Sequence, residues 1–583
     1  MMIAVVLSSN IRRMTRENVL VRKSVGLEAA GSMDLLFTDK TGTLTEGQMS
    51  VSTLFLADGT LFDSPAHMYK RCHRLGERLS LCCRLNSSAT DAEGVALGGN
   101  ATDRALARAV SGLPKPVGVR RGAYLPFDST RKYSLASLLG AERLLLAKGA
   151  AERLLPYVRF CYTADGRVVP FSPHSHAFSS ALLAHARAGE RVLLLCEGEG
   201  EAVPDGMRSL TLLCAVVLSD RLRRTARSSV QALSRAGVHV VMITGDSKET
   251  AAHIAAQCGI LDGTHSIALS GDELSAMSDE QVKRILPSLA VVARSLPSDK
   301  SRLVRLGQEA GAVVGMTGDG INDAPALKRA DVGFAMGGGT QVAKDAGDVI
   351  ILDNDLSSIV RAVRYGRNIF KSIRKFITLQ LTMNFCAVGV SMIAPFLGFD
   401  APVTVVQMLW INLIMDTLGG LAFAGEAASE HCMREKPKKR DERILNRYMI
   451  HQILLLGSFT VGLCLLFLKS PAITSHFRPA EDRIYLLTAF FVLFIFSSVH
   501  LCFAARTDRL WPLAGLRKNR PFVLIMSAVC ITQLVFVYVG GKVLRTAPLL
   551  PEELGYTLLL SLLVIPAEFL RKLLWRRRHK DGF

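Results

Sequence analysis

From Phe376 onward the sequence breaks into six long stretches almost free of charge: Phe376–Phe399, Ala401–Gly425, Tyr448–Leu468, Ile484–Ala505, Pro521–Gly541 and Leu554–Leu570. Each approaches the ~20 residues a helix needs to cross a bilayer. A single short core helix can be as apolar, but six such runs in succession read as a membrane domain. The connections alternate in basic content. Arg364–Lys375 carries five Lys/Arg, Arg434–Arg447 seven, Arg506–Arg520 five and the tail from Arg571 six, against three in Lys469–Arg483 and two in Lys542–Gly555. Because basic residues near span ends stay in the cytoplasm, the region before Phe376 and the C-terminus are both expected there. Met1–Ser8 is apolar but too short to span and lacks the features of a signal peptide. It reads as the trailing end of a helix.

The first half follows another pattern. Short apolar runs alternate with amphipathic helical ones, as in a parallel α/β sheet. The runs are Met33–Phe37, Leu212–Leu218, Val238–Ile243, Leu289–Val292, Val313–Met316, Val332–Ala335 and Val349–Leu352. Several end in an Asp-bearing loop. Since ligands of open α/β sheets lie beyond the carboxyl ends of the strands, Asp39, Asp246 and Asp319 are expected to converge on one crevice. About 170 residues separate the first run from the second, enough for an inserted domain. The 583-residue chain has 70 Lys plus Arg against 51 Asp plus Glu, an excess of +19 that suits a nucleotide or an anionic membrane surface. Nucleic acid is not needed to explain it. The 12 cysteines are scattered with no CxxC, so neither a disulfide framework nor a zinc site is indicated, and they read as reduced thiols.

Asp39 opens Asp39-Lys40-Thr41-Gly42-Thr43-Leu44-Thr45 directly after a strand-like run. A carboxylate there can attack phosphorus to give an acyl phosphate, and the small Thr-Gly-Thr backbone leaves room for phosphate oxygens. Thr317-Gly318-Asp319-Gly320-Ile321-Asn322-Asp323-Ala324-Pro325 follows another such run, with carboxylates suited to Mg²⁺. Thr244-Gly245-Asp246 offers hydrogen-bond donors to a transferring phosphoryl group, and Lys300 a positive charge on it. Singly, each motif is no better supported than a solvated turn.

In this order, with Lys148-Gly149-Ala150 and six hydrophobic spans, they resemble the P-type cation-transporting ATPases from Met1 to about Lys572. The resemblance implies an α/β haloacid-dehalogenase-like (Rossmann-like) phosphorylation domain with an inserted α+β nucleotide-binding domain, followed by a six-helix transmembrane domain. The expected division is residues 1–32 for the end of a membrane helix and stalk, 33–50 and 206–360 for the phosphorylation domain, 51–205 for the insert and 361–583 for the membrane. It further implies that Asp39 is phosphorylated, with Lys300, Thr244 and Asp246 in catalytic roles. Mg²⁺ is expected on Asp39, Asp319, Asp323 and the main chain of Thr41. For ATP, Phe127 would stack on adenine, while Lys132, Lys148, Gly149, Arg191, Asp103, Arg223, Arg294 and Asn322 would line the nucleotide or its phosphates. Two stretches depart from the family pattern. Gly99–Asp103 lacks the usual Pro and Glu, and Asp220 is not followed by proline.

In Trp410–Thr417, Asn412 and Asp416 stand i, i+4 on one face of the second span. Oxygen ligands at membrane depth point to a hard cation such as Ca²⁺ rather than Cu or Zn, and Cys386 reads as a lone thiol. Asn384 completes the similarity to the plasma-membrane calcium pumps. Ala387 and Met415 replace residues that two-site pumps carry, so a single Ca²⁺ is expected. Secretory-pathway pumps, which also take Mn²⁺, share the Asn/Asp pair, whereas Asn384 and Thr417 lean away from them. The expected protein is thus a multi-pass ATPase of the plasma membrane with cytoplasmic catalytic domains. The first helices and actuator domain of the family are missing from the sequence, to be supplied by a preceding segment or a second chain. The alternative is a non-transporting, ATP-binding or regulatory membrane protein. The tail Trp575–Phe583 reads as a membrane-surface anchor.

Overall fold

The computed structural model describes residues 2–578 except 93–94, 129, 140–143, 188–189, 400, 426–429, 441, 481, 508, 512 and 517–518. Its first sheet has eight strands in the order Val19–Val21, Val349–Ile351, Val332–Met336, Val314–Gly318, Leu35–Asp39, His239–Ile243, Leu289–Ala293, Ile267–Ser270. All neighbours are parallel except the edge strand Val19–Val21. Both faces are covered, which is why these strands read as unbroken apolar runs. Leu35, Phe37, Val241 and Ile243 pack into one core, while Leu36, Val240 and Met242 join the other. Helices Lys248–Cys258 and Pro297–Glu309 follow two of the strands. The first is capped by the Ser247 hydroxyl and ends on left-handed Gly259 at φ +75°.

The run Leu212–Leu218 does not belong to this sheet. It lies in strand Met207–Leu222, antiparallel to Arg191–Gly200 on one side and to Thr45–Phe55 on the other, in a second, nine-stranded sheet. Leu213 and Val216 face one apolar core and Leu212, Ala215 and Val217 another. A central antiparallel strand buried on both faces carries the same hydrophobic signature as a parallel one, hence the misassignment. Strand Thr45–Phe55 runs across position 50/51 and pairs with Met207–Leu222, which begins just after position 205/206, the two forming a two-strand ribbon between the two bodies.

One helix, Leu356–Ile393, leaves the first sheet and continues into the apolar half. Helix Ser24–Ser32 packs on it where two glycines meet. A Cβ at Gly366 would lie 2.4 Å from the Leu27 carbonyl oxygen and 2.5 Å from the Gly31 nitrogen. Five helices among the described residues are long and apolar enough to cross a membrane: Leu356–Leu397, Val405–Ala424, Arg447–Lys469, Ile484–Arg506 and Arg520–Val539. The sixth expected span is instead two helices, Pro551–Ser561 and Val564–Arg578. Pro566 has no N–H for the Leu562 carbonyl, and around it Leu562, Leu563 and Ile565 donate to residues i−3, tightening the turn.

Candidate active site

Strand Leu35–Asp39 ends at the sheet's carboxyl edge, and Lys40–Thr43 immediately turn. Thr41 (φ −72°, ψ 131°) and Gly42 (φ 72°, ψ −7°) have the dihedrals of a type II turn, which requires glycine at the second of these places. The turn lies beside the end of the adjacent strand. A Cβ at Gly42 would come within 3.0 Å of Asp319 Oδ2, so the loop from Val314–Gly318 and the Asp39 loop close on each other. The Asp39 N–H donates to Thr317 Oγ1 at 2.9 Å, locking the strand ends together.

Asp39, Asp319 and Asp323 each place a carboxylate oxygen within 4.8 Å of the others. Lys300, on the first turn of Pro297–Glu309, donates to Asp39 at 2.8 Å and to Asp323 at 2.7 Å. The second Asp323 oxygen accepts the N–H groups of Asp319 and Gly320 at 3.2 and 3.0 Å. Burial pushes the Asp39 carboxyl above its ordinary value, with Asp323 adding to the rise and Lys300 opposing it. Burial, then the charges of Asp39 and Asp323, raise Asp319 in the same way. Burial works against the Lys300 charge, yet the two carboxylates hold its pKa above the lysine norm. Three crowded oxygen donors with one ammonium among them could hold a hard cation and a phosphate, and the donor set with its glycine-cleared space fits Mg²⁺.

Asp246 ion-pairs with Lys40 at 2.5 Å, and Thr244, buried, has its hydroxyl bonded by the Asp246 N–H. Asp246 therefore joins the crevice through Lys40, a residue to which sequence reading gave no role. Its signal was a lysine next to the nucleophile candidate. Arg294, in the left-handed region at φ 47°, donates its N–H to the Asp246 carbonyl. Asn322 is exposed on the one-turn helix Ile321–Asp323.

In the second body, Lys148 and Asp103 are both buried and paired at 2.5 Å, and Lys148 also donates to the Asn86 carbonyl. Burial works against Asp103's charge, but Lys148 and the Ser88 hydroxyl and N–H hold its carboxyl below the usual range. Asn86 and Ser88 had no sequence signal. Gly149 lies against Tyr133, where a Cβ would be 2.5 Å from the tyrosine Cβ. Phe127 exposes 46 % of its surface on the same sheet's rim, an unusual position for a large ring without a ligand. Lys132, at φ 61°, pairs with Glu152, and Arg191 reaches Thr102. Arg223 lies at the ribbon, where it donates to the Thr45 carbonyl at 3.1 Å.

Between the apolar helices, Asn384 and Asn412 line one groove of about 610 Å³ with Ala387, Val388, Ser391, Met392 and Met408. Asp416 falls in the loosened turn Ile414–Gly419, and its side chain lies outside the described residues. Cys386 and Cys464 are both buried, on helices Leu356–Ile393 and Arg447–Lys469. All twelve cysteines are free.

The carboxylate-and-lysine cluster at the edge of a parallel sheet defines a class. The chain belongs to the haloacid dehalogenase-like hydrolases, whose family profile matches residues 33–331, more than half of it. A second profile of that kind covers residues 310–363, and residues 400–574 match the cation transporting ATPase C-terminus. More particularly, the chain is similar over nearly its whole length to calcium-transporting ATPases. Calcium-transporting ATPase 1 of Yarrowia lipolytica is 32% identical across 96% of this chain and 63% of its own length. Putative calcium-transporting ATPase 11, plasma membrane-type, of Arabidopsis thaliana is 31% identical across 98% and 58%. Plasma membrane calcium-transporting ATPase 3 of Rattus norvegicus is 31% identical across 94% and 48%. The chain spans between 48% and 63% of the length of these three relatives. Together with the apolar helices, the similarity makes it a membrane protein.

Proposed function

We propose that the chain performs the phosphorylation and ion-binding steps of ATP-driven calcium transport. The observation that carries this reading is the cluster of Asp39, Asp319, Asp323 and Lys300 at the carboxyl edge of the sheet. An Asp39 oxygen attacks the γ-phosphorus of ATP. The new O–P bond forms as the bond from that phosphorus to the β,γ-bridging oxygen breaks, and ADP leaves with the electron pair. Lys300 neutralises charge on the transferring group, and the Thr244 hydroxyl and nearby N–H groups orient its oxygens. Mg²⁺, when held by Asp39, Asp319, the Thr41 main chain and Asp323, supplies charge neutralisation between phosphate and carboxylates.

ATP reaches Asp39 from the second body, with adenine on the exposed Phe127 ring and Lys132, Lys148, Arg191, Gly149, Asp103, Asn322, Arg223 and Arg294 along its path. The transported ion is Ca²⁺, taken by Asn384, Asn412 and Asp416. In this reading the broken pair Pro551–Ser561 and Val564–Arg578 counts as a sixth span, the catalytic bodies face the cytoplasm and the membrane is the plasma membrane; the alternation of basic loops and the similarity to plasma membrane-type relatives support it. The test is phosphate incorporation from γ-labelled ATP into membranes containing the chain. Label that requires Ca²⁺, is released by hydroxylamine and vanishes in Asp39→Asn supports the reading. Label that survives in Asp39→Asn, or ignores Ca²⁺, refutes it.

A further inference from the structure

We propose that the side chain of Lys438 is a site of reversible carbamate formation with carbon dioxide. Neither the ATP nor the Ca²⁺ reading is needed for it. Lys438 belongs to the segment 430–440, which is fastened to helix Leu356–Ile393. Arg367 of that helix, itself buried, donates to the carbonyls of Cys432 and Glu435 at 3.0 and 2.7 Å. Nearby on the same helix, two cations share the ring of Phe370: the Lys438 amino group and the Arg374 guanidinium. Among the described residues, the two acids beside them are already engaged. Glu435 pairs with Lys371, and Glu442 accepts from Arg374 Nη2 at 2.8 Å. Two donors are left over. Lys438 Nζ and Arg374 Nε are both enclosed, and neither has a hydrogen-bond partner.

Enclosed donors without an acceptor are costly, and a pair of them on neighbouring cations calls for an added anion. An anion arriving from solution must shed its water to reach an enclosed nitrogen. Carbon dioxide is small and uncharged, enters without that cost and becomes an anion only on arrival. It needs a free amine. Burial pushes Lys438 down to about 7, with Arg374 and Lys371 adding to the fall and Glu442 and Glu435 opposing it. A large share of this side chain is therefore unprotonated at neutral pH, where an ordinary lysine is almost wholly charged. The Nζ lone pair attacks the carbon of CO₂, an N–C bond forms, and one C=O π pair moves onto oxygen. A proton on the nitrogen passes to water, leaving an N–H carbamate. Its carboxylate is the acceptor that Arg374 Nε lacks, and the charge-assisted bond ties the segment 430–440 to the helix. Loss of CO₂ releases it.

The full chain, in detergent micelles at neutral pH, is equilibrated with isotope-labelled CO₂ and bicarbonate, trapped with triethyloxonium ion and mapped by mass spectrometry. A labelled ethoxycarbonyl group is expected on Lys438 at about tenfold or more the level on the exposed lysines Lys436 and Lys439. Carbon NMR of the untrapped chain should show a carbamate resonance that leaves when CO₂ is purged. The resonance should be lost in Lys438→Arg, which keeps a charge but offers no free amine. In Arg374→Gln it should fall by about tenfold, the worth of one hydrogen bond to a charged group. The mapping is made on the unaltered chain, so it stays decisive even where a variant fails to fold. Label no higher on Lys438 than on Lys436 and Lys439, or a resonance that persists in Lys438→Arg, overturns the proposal. Phosphate that shields Lys438 from acylation, with no covalent label found there, would reveal a bound anion in place of the carbamate and overturn it too.

Discussion

Replacing Lys300 by methionine removes a cation bonded to both Asp39 and Asp323, with little change in side-chain volume. At 2.8 and 2.7 Å, and with an effective dielectric near 20, each contact carries on the order of 5 kcal/mol of attraction before desolvation is counted. Three carboxylates within 4.8 Å are then left to repel one another and any incoming phosphate. Loss of a preorganised charge of this kind slows the chemical step by roughly 10²–10³-fold. The pH response should move too. Burial and Asp323 raise the Asp39 carboxyl while Lys300 lowers it, so without Lys300 the nucleophile ionises only at higher pH and the acid limb shifts in the alkaline direction. The assay is the initial rate of hydroxylamine-labile phosphorylation across pH, with Lys300→Arg as the variant that keeps the charge and recovers part of the rate. Lys300→Met with the native rate and an unmoved acid limb would falsify the electrostatic account of the site.

Asp319→Asn should raise thermal stability in the absence of Mg²⁺ by on the order of 1 kcal/mol at neutral pH while abolishing phosphorylation. The folded Asp319 pKa lies above its unfolded value, so its contribution is full below the unfolded pKa and is lost as pH rises through the folded one. The gain of Asn over Asp should therefore shrink in acid, as melting curves across pH will report. Lys148→Met leaves Asp103 buried without its cation and should cost about 3–5 kcal/mol, most of it regained when Asp103→Asn is added. Denaturation midpoints of the single and double variants test this. Gly366→Ala should destabilise by about 1–3 kcal/mol although alanine favours helix, because the clashing atoms at Leu27 and Gly31 are backbone and cannot rotate away. A variant as stable as the parent shows that the helices can separate freely.

The strands ending in Asp39, Thr244 and Asp319 were legible because each couples a buried apolar run to a turn motif, two signals that reinforce each other. Strand Met207–Leu222 was not, since burial on two faces erases the alternation that separates antiparallel from parallel strands. Five of the six apolar stretches came through as helices long and apolar enough to span. What failed was continuity, because only the geometry around Pro566 divides the last of them. Partnerships across long sequence distance were the least visible. Lys40 with Asp246, Lys148 with Asn86 and Arg223 with the Thr45 carbonyl depend on how separate elements pack.

Helix Leu356–Ile393 runs 38 residues without a proline, about 57 Å at 1.5 Å per residue. At one end it touches the sheet that carries Asp39, and at the other it presents Asn384 to the groove. A rod of this length converts angle into distance: a tilt of about 5° at one end displaces the other by about 5 Å, close to one helical turn. Events at the phosphate cluster and at the groove therefore need no chain of relayed side chains to be felt by one another. They share a single stiff body, and its inclination is a variable both sites must agree on.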